Sequence, residues 1–234
     1  MSASEAQRLV QISKQLNIIS LLTYLLPLVI GFWRWHSLTP ACKKLVWFVL
    51  IAGCLLNALS EISRVVWHNN HLFFYLNTWA ETLFLSWAFF LSLHSSKVKR
   101  FFAWAVILFF VVALVQVIYL RGVYASNTYA RLAQSTLLIS AALLYFEQTL
   151  QELRTIQLEY DPMFLVSVGV ILYFAGCLMV FTLEDSMYAQ KQFTQVWIMY
   201  SIQFVLLIVF NFILALALYR ASKSPEQIVE SSPY

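Results

Sequence analysis

The chain has 234 residues, of which 61% are hydrophobic and only 11% charged, with a formal net charge of +4. A soluble domain carries about 25% charged residues, so the composition excludes an ordinary soluble enzyme. Basic residues scattered over short polar breaks likewise exclude a nucleic-acid-binding stripe. The apolar residues come in recurring runs near the length of about 20 residues that crosses a bilayer, which predicts an all-α polytopic membrane protein in contact with lipid.

Taken in order, the runs predict a seven-transmembrane-helix bundle over residues 16–220. A polar N-terminal extramembrane segment, 1–15, holds Glu5, Arg8 and Lys14. The first span, Leu16–Trp35, lacks a small-residue cleavage signature and reads as retained. Pro27 is expected to kink it. The second span, Leu45–Trp67, contains the polar stretch NALSEISR, and WHNNHL then leaves room only for a tight hairpin. The third span, Leu72–Leu93, contains NTWAE, and the fourth and fifth are Phe101–Leu120 and Asn127–Leu150.

Beyond the fifth span, YFEQTLQELRTIQLEYDP keeps helical spacing at Leu150, Leu153 and Ile156, with Glu147, Glu152 and Glu159 between them. This segment is expected to be an interfacial helix end or a docking surface for a partner protein. The sixth span, Pro162–Leu183, places Gly169 and Gly176 on one face, where small residues permit close helix packing. The seventh, Thr194–Arg220, carries Asn211 as a helix–helix contact, and the polar tail 221–234 is expected to be disordered.

Orientation follows from the basic residues. Nine of the fifteen Lys and Arg follow spans one, three, five and seven, five lie on the other side, and Arg64 sits inside a span. The positive-inside rule then predicts an external N-terminus and a cytoplasmic C-terminus. Trp33, Trp35, Trp47 and Trp104 fall near the inner interface, and Trp67 and Trp197 near the outer one.

Charges within the spans narrow the function. N-x-x-x-E occurs in both arms of the hairpin, as Asn57/Glu61 and Asn77/Glu81, and residues i and i+4 share a helix face. At 1.5 Å per residue Glu61 lies about 9 Å and Glu81 about 13 Å from the outer helix ends. Arg64 is one turn from Glu61 and in reach of it. A charge at mid-membrane costs about 2.5–3.5 kcal/mol, so these groups are expected to face inward together. Two close carboxylates repel, which favours a proton on one of them.

Further polar groups fall at the same level: Gln116 and Tyr119, then Tyr129, Arg131 and Gln134, then Glu184 and Asp185, then Gln195, Tyr200 and Gln203. The expected outward-facing ligand pocket comprises Asn57, Glu61, Arg64, Asn77, Glu81, Gln116, Arg131, Tyr200 and Gln203.

The last span has no lysine to anchor a retinal, and His36, His68, His71 and His94 fall at membrane edges without a third ligand for zinc. There is no phosphate loop and no nucleophile–base pair, so no cofactor is expected and an intramembrane enzyme ranks last. NALSEISR, the hairpin, NTWAETLFLS and VGVILYFAGCLMVFTL resemble an uncharacterised family of small bacterial seven-helix membrane proteins. That resemblance implies the bacterial cytoplasmic (inner) membrane and an orphan or sensor-associated role, some members lying beside histidine kinases. It supplies no site residues.

The leading expectation is therefore a receptor-like or sensory module that binds a small or amphiphilic ligand, or a proton, and signals to a cytoplasmic or membrane protein partner. The alternatives are a small-solute or proton-coupled transporter, which needs a polar path inward, and a non-catalytic scaffold subunit.

Overall fold

A computed structural model describes residues 3–120, 127–151 and 161–221. Among the described residues every regular element is helical and no strand occurs. In hydrocarbon the backbone has no water to bond, so each crossing segment must satisfy its own N–H and C=O groups. The long apolar runs do so as α1 (Ala3–Thr23), α2 (Leu25–Trp33), α3 (Pro40–Phe48) and α4 (Asn57–Val66), with a π-helical segment, Val49–Leu56, joining α3 to α4. Next come α5 (His71–Ser92), α6 (Ser96–Val115) with a π-helical end, Gln116–Leu120, α7 (Thr128–Gln151), α8 (Pro162–Ala189) and α9 (Phe193–Arg220).

Five stretches are long and apolar enough to cross a bilayer: Gln7–Trp33, Pro40–Val66, Ser96–Ile118, Pro162–Ala189 and Phe193–Arg220. The chain is an integral membrane protein on that basis. Helices α5 and α7 have 22 and 24 residues, which is length enough. They fall outside the five because polar residues lower their mean hydropathy, and those residues are largely the buried ones. On α5 Asn77, Thr78, Glu81, Thr82 and Ser86 are buried while Leu72, Leu83, Trp87 and Leu91 are exposed. With lipid as solvent, polar side chains gather at the helix–helix contacts.

Two boundaries differ from the sequence expectation. The helix of the first span starts earlier, at Ala3, and is interrupted at Tyr24, in line with the kink expected from Pro27. Pro27 is the physical cause: it has no N–H for the carbonyl of Thr23, and its ring crowds that carbonyl. The second span begins at Pro40, where the Thr39 hydroxyl accepts from the Cys42 N–H at 3.3 Å, and it contains a π-helical stretch that hydropathy does not register. The extension beyond the fifth span and the polar tail lie largely outside the described residues, as do the side chains of Tyr119 and Asp185.

The helices form a ring in the order α2, α9, α8, α7, α5, α3, with α3 meeting α2 and α6 lying outside against α7 and α5. Helix α1 packs along α9, whereas α4 packs mainly on α5 and its own π segment. Glycines set the close approaches: a Cβ on Gly176 would lie 2.1 Å from Leu206 Cδ1, and one on Gly169 2.9 Å from Phe210, so α8 and α9 meet at the positions expected. Asn211 bonds helix to helix as expected, donating to Thr23 Oγ1 at 2.8 Å.

Candidate functional site

One face of α5 presents Phe74, Asn77, Thr78 and Glu81 at helical i, i+3, i+4 and i+7 spacing. Glu81 is 9% exposed. Its Oε1 accepts from Asn77 Nδ2 at 3.4 Å and its Oε2 from Gln134 Nε2, on α7, at 3.0 Å. Gln134 Nε2 also reaches the Thr78 carbonyl at 3.3 Å. One amide thus bridges α7 to both backbone and side chain of α5.

The start of α7 is tied to the same place. Asn127 precedes the helix and its carbonyl accepts from Arg131 N–H, the position of an N-cap. Its side chain does not cap. It donates instead to Thr78 Oγ1 at 2.8 Å. The N–H of Ala130, one of the four otherwise unbonded at a helix start, goes to Gln116 Oε1 at 2.7 Å. Gln116, fully buried, also donates to the Tyr75 hydroxyl at 3.4 Å. Arg131 lies over the rings of Phe181 and Phe74, with centroids at 4.8 and 5.3 Å. Tyr24, Tyr173, Cys177 and Arg131 all lie within electrostatic reach of Glu81.

Two acceptors in this cluster are buried without a hydrogen-bond partner, Asn77 Oδ1 and Asn127 Oδ1. Buried acceptors are ordinarily paired. These two carbonyl oxygens and the Glu81 carboxylate make an acceptor-rich patch, suited to a proton, a water or a small hard cation. The two described clefts, of about 280 and 380 Å³, run between α1 and α9 and touch none of the nine expected site residues. Among the described residues no three His, Cys, Asp or Glu side chains gather as metal ligands.

The structure therefore divides the expected site. Asn77, Glu81, Gln116 and Arg131 come together between α5, α6 and α7. Asn57 does not join them: its Nδ2 donates to the carbonyls of Ala52 and Gly53, both at 3.0 Å, serving the π-helical stretch behind it. Glu61 is not paired with Glu81. It binds Arg64 at 2.6 Å on a part-exposed surface of α4. The expectation that both carboxylates turn inward fails for Glu61, because the π segment changes the helical phase before α4 and the nearby arginine already neutralises the charge. Tyr200 bonds Glu184 at the α8–α9 end, and Gln203 is buried beside Cys177.

Asn127 and Thr78 are members of this candidate cluster that hydropathy reading missed, and Gln134 lies at its centre, bonded to Glu81 and Thr78. The available signal was spacing: Asn127, Arg131 and Gln134 fall on one face of α7. Comparison with protein-family models, curated proteins and solved structures finds no match. Fold and site alone set the class: an all-helical integral membrane protein with a carboxylate buried among its helices.

Proposed function

We propose that this is a receptor-like, sensory protein of the bacterial inner membrane, in which the Glu81 cluster responds to a proton or a small monovalent cation and α7 and α9 carry the change to a cytoplasmic partner. In this reading all seven rods cross the bilayer, α1 with α2 and α3 with α4 each counting as one, with the N-terminus outside and the C-terminus inside. The observation that carries it is the buried Glu81, held across α5 and α7 beside two unsatisfied acceptors. An ionisable group inside a membrane bundle is a functional-site hypothesis by default, and the amide hydrogen bonds already made to both carboxylate oxygens favour a proton or ion over a larger ligand.

Two further features support the reading. Beneath Glu81 the core is mainly apolar, through Leu85, Phe89, Leu138, Ala142, Phe210 and Leu214, with Ser86, Ser167 and Asn211 as isolated polar groups, which supports a sensor over a transporter. At the proposed inner end, cations sit over aromatic rings: Lys44 on Trp87 at 3.6 Å and Arg34 on Tyr219 at 4.4 Å. This fits the positive-inside assignment.

The test is infrared difference spectroscopy on the protein in bilayers between acid and neutral pH, combined with hydrogen exchange at the inner ends of α7 and α9. We expect a carboxyl band that disappears in Glu81→Gln, and exchange at those ends that depends on pH in the wild type and not in the variant. A spectrum without that band, or ends indifferent to pH, overturns the proposal.

A further inference from the structure

Arg131 carries a charge that no ion pair answers. Its guanidinium keeps its proton at any physiological pH. The residue is half-buried on α7, one turn before Gln134, whose amide holds Glu81. Among the described residues Arg131 donates no side-chain hydrogen bond and joins no ion pair. It lies instead against two rings, Phe74 on α5 and Phe181 on α8. Glu81 accepts hydrogen bonds only from neutral amides, yet Arg131 is within its electrostatic reach.

The other titratable groups facing Glu81 are Tyr24, at the break between α1 and α2, and Tyr173 and Cys177 on α8. All three types are ordinarily neutral near pH 7. Helices α6 and α9 add the neutral amides of Gln116 and Gln203. Arg131 is therefore the one charge that Glu81 faces among the described residues. A bare carboxylate and a bare guanidinium so placed attract strongly in a low dielectric. Their separation fits a Glu81 that holds a proton. That proton also has an acceptor. Asn77 Oδ1 is buried without a partner, and turning the amide over brings this oxygen to the 3.4 Å contact with Glu81 Oε1, where it can accept from the acid O–H.

We propose that the ion read by the Glu81 cluster is a proton and not a metal cation, and that Arg131 is the internal counter-charge that exchanges with it. This rests on the sensory reading above. With Glu81 protonated, Arg131 stays on Phe74 and Phe181 and ties α7 to α5 and α8. When the carboxyl O–H breaks and its proton passes to water, Arg131 leaves the rings and pairs with the carboxylate. The two side chains then go from one net positive charge to none, so no further cation is required. A sodium ion on Glu81 would instead stand beside a fixed positive charge.

The test follows the Glu81 carboxyl band against pH in bilayers, once in sodium chloride and once in choline chloride of equal strength. The midpoint is expected to be the same in both. A midpoint that falls with sodium, by about one pH unit for each tenfold increase, shows a metal ion displacing the proton; it overturns this inference and leaves the sensory reading standing. A missing band overturns both. Arg131→Gln removes the counter-charge and is expected to bind the proton on the order of tenfold more tightly, whereas Arg131→Lys keeps the charge and should stay near wild type. Phe181→Leu removes one ring from the protonated arrangement and is expected to weaken proton binding about threefold. Shifts of the same sign in Arg131→Gln and Phe181→Leu, or an Arg131→Gln midpoint equal to that of the wild type, overturn the inference, because a merely structural role predicts no such opposition.

Discussion

A Cβ placed on Gly53 would lie 2.4 Å from Tyr24 Cδ1 and 2.7 Å from Cε1. Tyr24 is 1% exposed and packs edge-on to Phe48, so its ring has little freedom to withdraw. The contact joins the break between α1 and α2 to the π-helical segment of the next rod, and Asn57 holds the Ala52 and Gly53 carbonyls from the other side. Gly53→Ala should therefore destabilise the protein by about 1–3 kcal/mol, the usual cost of overpacking. At Gly176 the obstacle is a terminal methyl of Leu206, which can rotate aside. Gly176→Ala should cost less despite its shorter nominal distance. Equilibrium unfolding of both variants in one detergent checks the order, and equal costs would show that Tyr24 yields.

At the scale of elements, α5 and α7 are held together by polar groups. Gln134→Leu removes the 3.0 Å donor from a buried carboxylate and the donor to the Thr78 carbonyl. Leaving a buried acceptor unpaired costs about 1–3 kcal/mol, and more for a charged one. Removing both partners restores most of that, so Glu81→Leu with Gln134→Leu should be less damaging than the two single costs added. A double-mutant cycle measures the difference, and strict additivity would mean the two side chains do not interact.

The same seam shows what the sequence made legible. Helix existence and rough span limits followed from apolar runs, and the Gly169/Gly176 packing face from spacing. Glu81 and Asn77 read correctly as inward because α5 is a regular helix. Glu61 and Asn57 did not: i, i+4 spacing says that they share a face of α4 but not which way that face turns, and the π-helical stretch before α4 shifts that direction from the one a continuous α-helix would give. No local residue pattern announces such a stretch. Nor did hydropathy distinguish Asn127, an N-cap by position, from a side chain turned across to another helix.

For the whole molecule, the interior is apolar with polar groups set into it at helix contacts, the exterior is also apolar, and the two ends differ in charge. At one end Arg34 donates to the Tyr219 carbonyl at 3.0 Å, and Lys43, Lys44 and Lys99 lie over Trp35, Trp87 and Phe90. Long basic chains of this kind cover apolar surface while their heads reach the interface. The opposite end has the α4–α5 turn, where Ser63 bonds the Asn69 carbonyl, and the α8–α9 turn at Lys191. If α5 and α7 cross the bilayer with the other rods, cysteines at Ser95 and His36 share the cytoplasmic side, and cysteines at Asn70 and Lys191 share the outer side. Cys42 and Cys177 are buried and the half-buried Cys54 lies within the apolar stretch Pro40–Val66, so an impermeant maleimide added to intact cells should label the second pair, and label the first only after the membrane is opened. Labelling of both Asn70→Cys and Ser95→Cys in intact cells would mean that α5 does not cross, and Glu81 would then lose the intramembrane setting on which its proposed role depends.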